Sequence, residues 1–267
     1  HVADPLRAYQ ALAHAWRMKF SLPVVAITGS NGKTTTKDLT ASVLGAAWPV
    51  LKTEANFNNE VGLPLTLLRL TEKHRAAVVA MASKYPAWGH RKIWAMVRHD
   101  GHNVGETHIE LLGSIANIAR AKSELVEAIE TGGTVILNAD DPYVAAMAEK
   151  RRRGVQLVTF GEVEGATVRG GNIAFEGLAA SFTVSFDGGT PEKFCLPLAG
   201  RHNISNALAA LAVGWTLGLT PAVMREGLAR PALTEQRFEC YKKGAYTIVN
   251  DAYNASPASM AAAIQTL

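Results

Sequence analysis

The spacing of hydrophobic positions changes along the chain, and each change marks an element. Residues 5–19 place Leu6, Tyr9, Leu12 and Trp16 on one helical stripe, and Pro23 ends the pattern. PVVAIT follows as a short run of β-branched residues, which predicts a buried strand; a glycine-rich turn leads into a second helical pattern, TTTKDLTASVLGAA. HRAAVVAM (74–81) predicts another buried strand. Residues 109–130 return to helical spacing, with Ile115, Ile118, Ala119, Leu125, Val126 and Ile129 on one side. GGTVILNADDPYVAAMAEK repeats strand, turn and helix, with Asp141 placed to cap and Pro142 at the first helical position. From Val155 to Leu198 the period falls to two: VQLVTFG, ATVRG, NIAFEG, ASFTVSF and KFCLPL predict short strands in an antiparallel patch. HNISNALAALAVGWTLGL and TPAVMREGLA are helical again, the second with Thr220 and Pro221 at its start. ECYKKGAYTIVNDAY predicts a hairpin, and SPASMAAAIQTL the beginning of a helix.

Strand, glycine turn and helix in succession are the opening unit of a parallel α/β sheet. The fold class expected is therefore α/β: a mostly parallel sheet flanked by helices around a phosphate-binding loop, a small antiparallel patch, and the start of a second α/β domain. The 267 residues suffice for one large domain or two small ones. No apolar run reaches the ~18 residues of a membrane span. The first residues, HVADPLRAYQ, have neither the basic start nor the apolar core of a signal peptide, and without an initial Met the chain reads as part of a longer one. Cys195 and Cys240 have no metal-ligand spacing and are expected as two buried free thiols in a reducing cytosol.

The net charge is +4, but Ser83–Val104 alone carries Lys84, Arg91, Lys92 and Arg98 against Asp100. The rest of the chain is close to neutral, which argues against nucleic acid as a general partner.

The main chemical signal is TGSNGKTTT, Thr28 to Thr36. Glycines 29 and 32 let backbone N–H groups turn inward around phosphate oxygens, and the following helix offers its positive end to the same anion. Lys33 can reach the outer phosphates, and the Thr34 hydroxyl is placed to ligate Mg²⁺. Thr28, Gly29, Ser30, Asn31, Gly32, Lys33, Thr34 and Thr35 are the candidate nucleotide-binding residues. Five residues before the Gly-Lys, where the common motif has glycine, this chain has Ile27, so the loop is a shorter variant.

TGSNGKTTTKDLTASVL followed by TEANFNNEVGLPLTLLRL resembles the Mur ligase family. HIELLGSIANIARAKSELVEAI, ILNADDPYV, LAGRHNISNALAALAVG and RFECY…IVNDAYNASPASMAAAI agree with it in order. The resemblance covers nearly the whole chain except Ser83–Val104. Folylpolyglutamate synthases share the general fold and loop, but NFNNEVGLPLTLL and DAYNASP suit the Mur ligases that add D-alanyl-D-alanine.

That resemblance implies an ATP- and Mg²⁺-dependent ligase, cytoplasmic and monomeric, acting on a UDP-MurNAc-peptide and D-alanyl-D-alanine. Residues 1–19 would be a linker helix from an N-terminal UDP-sugar domain, 20–236 the central ATP-binding domain, and 237–267 the beginning of a C-terminal ligase domain. Lys122 in ARAKSEL would react with CO₂ to give a carbamate able to support a second Mg²⁺, and His108 would ligate metal. By itself, a lone lysine on an amphipathic helix reads as a solvated side chain. Asn138 and Asp140 would lie at the adenine, where the plain reading is a strand end and helix cap. His202, Asn203 and Asn206 would lie near the nucleotide, with Asn203 also fitting a cap. Arg237 and Asp251 would reach the phosphates and nucleotide from the domain junction. Asn58 and Asn59 would face the acceptor substrate, or simply form a polar turn.

Where the family has a Glu that ligates Mg²⁺, this chain has Ala80, which offers no oxygen. Glu60, Glu106 and Glu110 lie elsewhere than the required strand end. The next segment, Ser83–Val104, replaces the family's helix and buried strand. RKIWAMVRH puts Ile93, Trp94, Met96 and Val97 at helical spacing, and the stretch resembles part of the helix-turn-helix region of IS3-type transposases. The expectation is thus a ligase core that has lost a metal ligand and a central strand. The alternatives are a folylpolyglutamate-synthase-like ligase, or a non-catalytic nucleotide-binding remnant in which Trp88, Trp94 and the nearby bases touch nucleic acid.

Overall fold

The computed structural model describes residues 1–54, 57–81, 93–98, 115–234, 239–244 and 246–250, with Met260 and Ile264; for 93–98, 115, 116, 239–242 and 247 it describes the backbone alone. His108, Arg237, Asp251, Glu106, Glu110, Trp88 and most of Ser83–Val104 lie outside these residues.

The strands are β1 (Val24–Gly29), β2 (Val50–Lys52), β3 (Ala76–Ala80), β4 (Ile93–Arg98), β5 (Thr134–Asn138), β6 (Gln156–Gly161), β7 (Val168–Glu176), β8 (Ala179–Phe186) and β9 (Glu192–Leu196), followed by a separate hairpin, β10 (Glu239–Lys243) and β11 (Tyr246–Asn250). The helices are α1 (Pro5–Arg17), α2 (Lys33–Gly45), α3 (Gly62–Leu68), α4 (Ile115–Ala128), α5 (Pro142–Ala145), α6 (Arg201–Thr216) and α7 (Pro221–Ala229). The nine-stranded sheet runs β2-β3-β1-β4-β5-β6-β7-β8-β9. Pairing is parallel from β2 to β7 and antiparallel from β7 to β9.

Alternation along β1 sends side chains to two separate cores. Val25 and Ile27 join α2, α6 and α7 on one face, while Val24 and Ala26 join α1 and α3 on the other. Helix α4 covers Val135 and Leu137 of β5. Parallel strands buried on both faces read as continuous hydrophobic runs, and PVVAIT and TVILN do. Helix α7 lies close against α2 because Gly227 has no Cβ: one built there would sit 2.4 Å from the Ser42 carbonyl oxygen.

Four expectations change. Ile93–Arg98 is a strand, not a helix, and stands between β1 and β5, with Val25 paired to Trp94 and Ala95 to Val135. The central strand is therefore present. A slot with ladder partners on both sides, filled by a segment with β-branched and aromatic residues, outweighs a short helical period. The stripe on α1 is rotated: Leu12 is 59% exposed, while Ala13 and Arg17 are buried. Polar anchors set that rotation, with Trp16 Nε1 donating to the Leu70 carbonyl and Arg17 to the carbonyls of Phe20 and Leu22. VQLVTFG belongs to the parallel sheet, and ATVRG and NIAFEG merge into β7 across an irregularity where Asn172 has φ 49°. Cys195 is exposed rather than buried, because its neighbours Phe194 and Leu196 take the inward positions on β9.

Candidate nucleotide site

The C-terminal ends of the parallel strands gather the candidate residues on one edge, as open α/β sheets do with their ligands. Thr28 and Gly29 end β1, Ala80 ends β3 and Asn138 ends β5. After β1 the chain turns through Gly32, whose φ of 74° favours glycine, and enters α2 at Lys33. The Lys33 ammonium folds over the loop it follows, donating to the Gly29 carbonyl at 2.6 Å and the Ser30 carbonyl at 3.2 Å. Ser30, Asn31, Thr34 and Thr35 are half-buried around it. Among the described residues the buried Thr28 Oγ1 has no hydrogen-bond partner, a polar group of the kind a ligand satisfies.

A buried polar chain ties this loop to α6. Thr36 Oγ1 donates to Asn206 Oδ1 at 2.8 Å, Asn206 Nδ2 to Asn203 Oδ1 at 3.2 Å, and Asn203 Nδ2 to the Ala199 carbonyl at 2.7 Å. Asn203 therefore does not cap α6; Gly200 takes that position. His202 is half-buried beside it.

A second chain of contacts runs along the neighbouring strand ends. Arg201 Nη2 meets Glu162 Oε2 at 3.0 Å. The Glu162 N–H donates to the Asp140 carboxylate at 2.9 Å, and the Asp140 N–H donates to Asn138 Oδ1 at 3.0 Å. Asp141 caps α5, accepting from the N–H groups of Tyr143 and Val144. Asn59 behaves as the polar-turn residue, its Oδ1 accepting from the N–H groups of Val61 and Gly62; Asn58 is half-buried beside it.

Lys122 lies on α4 and is only 3% exposed, so the solvated reading fails. Burial, together with the nearby positive charge of Lys33, pushes its ammonium down to about 8. The sequence gives Lys122 only helical periodicity; its depth and its proximity to Lys33 are products of the fold.

The donor set suits a Mg²⁺ carried by a nucleotide, since that ion usually keeps one or two protein ligands besides phosphates. Thr34, in the first turn of α2, could supply one. Among the described residues no group of three His, Cys, Asp or Glu could hold a metal, and Ala80 has no oxygen to contribute.

The candidate nucleotide residues of the loop end at Thr35, and two charged residues that the motif does not flag follow in the next turn of α2. Lys37 and Asp38 are buried, and Asp38 Oδ1 meets Lys52 Nζ at 2.8 Å. Adjacent opposite charges in a helix that is otherwise uncharged past Lys33 are the signal that could have found them.

Residues 27–214 match the Mur ligase middle domain, bounds that enclose Ser83–Val104. The chain is similar to the UDP-N-acetylmuramoyl-tripeptide–D-alanyl-D-alanine ligase of Bacillus subtilis, at 36% identity over 99% of this chain and 57% of that protein. It superposes on MurF from Acinetobacter baumannii with a TM-score of 0.88 and 33% identity, covering 100% of this chain and 58% of that one. It also superposes on MurF from Thermotoga maritima in complex with ADP, with a TM-score of 0.84 and 28% identity, covering 100% of this chain and 61% of that one. The chain thus spans a little over half the length of these relatives. A strand, phosphate loop and helix on a parallel sheet edge, within a match of that extent, mean that the chain belongs to the Mur ligase family through its middle domain.

Proposed function

We propose that the chain is the ATP-binding core of a cytoplasmic, monomeric ligase that joins D-alanyl-D-alanine to the terminal carboxylate of a UDP-MurNAc-tripeptide. The observation that carries this reading is Lys122, buried and within electrostatic reach of Lys33, the lysine of the phosphate loop. In the reaction a carboxylate oxygen attacks the γ-phosphorus of ATP and ADP departs. The amine of D-alanyl-D-alanine then attacks the acyl phosphate, losing a proton and displacing phosphate. A carboxylate is a poor electrophile and both reactants are anions, so the protein's task is to neutralise charge and align them. Loop N–H groups and Lys33 serve the phosphates, and bound Mg²⁺ would add further neutralisation. Asn138 and Asp140 would lie at the adenine, His202, Asn203 and Asn206 near the nucleotide, Arg237 and Asp251 would reach the phosphates and nucleotide from the domain junction, and Asn58 and Asn59 would face the acceptor.

Lys122 would act as its carbamate, and His108 would serve as a metal ligand. Carbamate formation needs the neutral amine, and an ammonium near 8 leaves roughly one in ten neutral at pH 7, against a negligible fraction for an ordinary lysine. With the carbamate in place, one buried cation becomes an anion facing Lys33.

The experiment supplies the chain with ATP, Mg²⁺, UDP-MurNAc-tripeptide and D-alanyl-D-alanine and tracks phosphate release and product mass. Phosphate release should need both acceptor and dipeptide, and Lys33→Ala should lower it at least about 100-fold. Release independent of either substrate would sink the reading. Ala80 favours one competitor, a nucleotide-binding core without catalysis; tight ATP binding with no ligated product would establish that instead.

A further inference from the structure

The residues after α7 are fastened to the nucleotide helix by a polar seam that the proposed ligase chemistry does not use. The Ala232 N–H donates to Ser42 Oγ at 3.0 Å, and Lys52 Nζ donates to the Ala232 carbonyl at 2.8 Å. Thr234 donates twice to Asp38 Oδ2, through its N–H and its hydroxyl, each at 2.8 Å. The other oxygen, Asp38 Oδ1, meets Lys52 Nζ at 2.8 Å and Lys37 Nζ at 3.4 Å. Lys37 in turn donates to the Thr53 carbonyl at 2.7 Å. Asp38 and Lys37 are each 1% exposed. A charge at that depth is tolerated only when its partners and lone pairs are met, and two ammoniums and two hydrogen-bond donors meet this one.

The seam has a direction. Residues 232–234 run back along α2 from Ser42 to Asp38, toward the end that carries the phosphate loop. Asp38 lies five residues from Lys33, roughly 7–8 Å along the helix axis. Beside this segment Ser42, Trp48, Lys52, Arg230 and Ala232 border a groove of about 700 Å³. Side-chain tethers, with Leu233 resting on the core, hold the segment along that open groove. An element held this way opens more readily than a core strand, so its tethers decide its course.

We propose that Asp38 is a positioning residue: it pins Thr234 to α2 and so fixes the course of residues 232–234 along that helix, toward its phosphate-loop end. The effect on turnover rests on the ligase reading; the pinning does not.

Amide hydrogen exchange of the 267-residue chain tests the pinning. Thr234→Val should speed exchange at Ala232 and Thr234 about tenfold while β1 and β5 keep their rates, and Thr234→Ser should restore protection. Lys52→Met should loosen Ala232 similarly. In the ligation assay Thr234→Val should lower kcat about tenfold with the ATP KM within about twofold, and Ser should again restore it. Unchanged exchange at 230–234 in Thr234→Val, acceleration spread through the whole sheet, or a kcat loss that Ser does not rescue would each overturn the proposal. An unmodified chain with protected 230–234 amides that ligates nothing would refute the ligase reading, while the exchange response and its rescue by Ser would still establish the pinning.

Discussion

The two halves of the nine-stranded sheet differ in both burial and chemistry. Strands β1, β3 and β5 are buried at every position, whereas β8 and β9 alternate buried positions with half-buried or exposed ones and β7 is buried only at Val168 and Gly170. Each candidate nucleotide residue of the described chain lies at the edge of the parallel half or on the helices that border it, and none lies on β7, β8 or β9. The reason is geometric. Parallel strands end in the same direction, so loops, helix N-termini and N–H groups converge on one edge, while antiparallel strands scatter their ends. The antiparallel half instead contributes Phe182 and Phe194 to the core under α6, and so supports the helix whose Asn206 reaches Thr36.

The most severe test of this division damages the antiparallel half and looks for an effect on the nucleotide. Phe194 is fully buried, stacks on Phe182 at 6.1 Å between ring centroids and lies under the Arg225 guanidinium. Phe194→Ala should cost about 3–5 kcal/mol in chemical denaturation, yet leave the ATP affinity of the folded fraction within about twofold. A parallel loss of affinity in the folded protein would show that the halves are not separable.

Lys122 probes the division from the other side, because its burial acts against stability. Its ammonium falls from an ordinary 10.5 to about 8, so between those values the unfolded chain holds more protons than the folded one. Stability from this group therefore rises with pH across that window, and below about 8 the full penalty is felt. Without added bicarbonate, Lys122→Met should stabilise the chain by roughly 1–3 kcal/mol at pH 7, with the difference fading toward pH 10. A gain that does not shrink with rising pH would assign the effect to packing alone.

The smallest expected effect tests the strand end next to the loop. Ala80 pairs with Ile27, and the Met81 N–H donates to the Ile27 carbonyl at 2.8 Å. With β4 in place, the sheet there is complete, so the residue at position 80 can be tested by itself. Ala80→Glu should raise the Mg²⁺ dependence of ATP affinity by roughly two- to threefold in titration calorimetry. Equal affinities with and without Mg²⁺ in both proteins would remove position 80 from the site.

Elements with local signals were legible in the sequence alone. A β-branched run, a glycine turn with Lys33, and a capping Asp141 before Pro142 announce strand, phosphate loop and helix start without tertiary context, because each depends on backbone sterics and neighbouring hydrogen bonds. Features that depend on what lies opposite were left to packing. Ile93–Arg98 has a helical period but becomes a strand because β1 and β5 leave a slot with hydrogen-bond partners on both sides. Leu12 belongs to an apolar stripe but faces solvent because Trp16 and Arg17 find carbonyls that fix the roll of α1. Lys122 reads as a surface lysine, and only packing buries it beside Lys33. Asp38 and Thr234, 196 residues apart in sequence, share no local signal, because their bond exists only once the chain beyond α7 has folded back along α2.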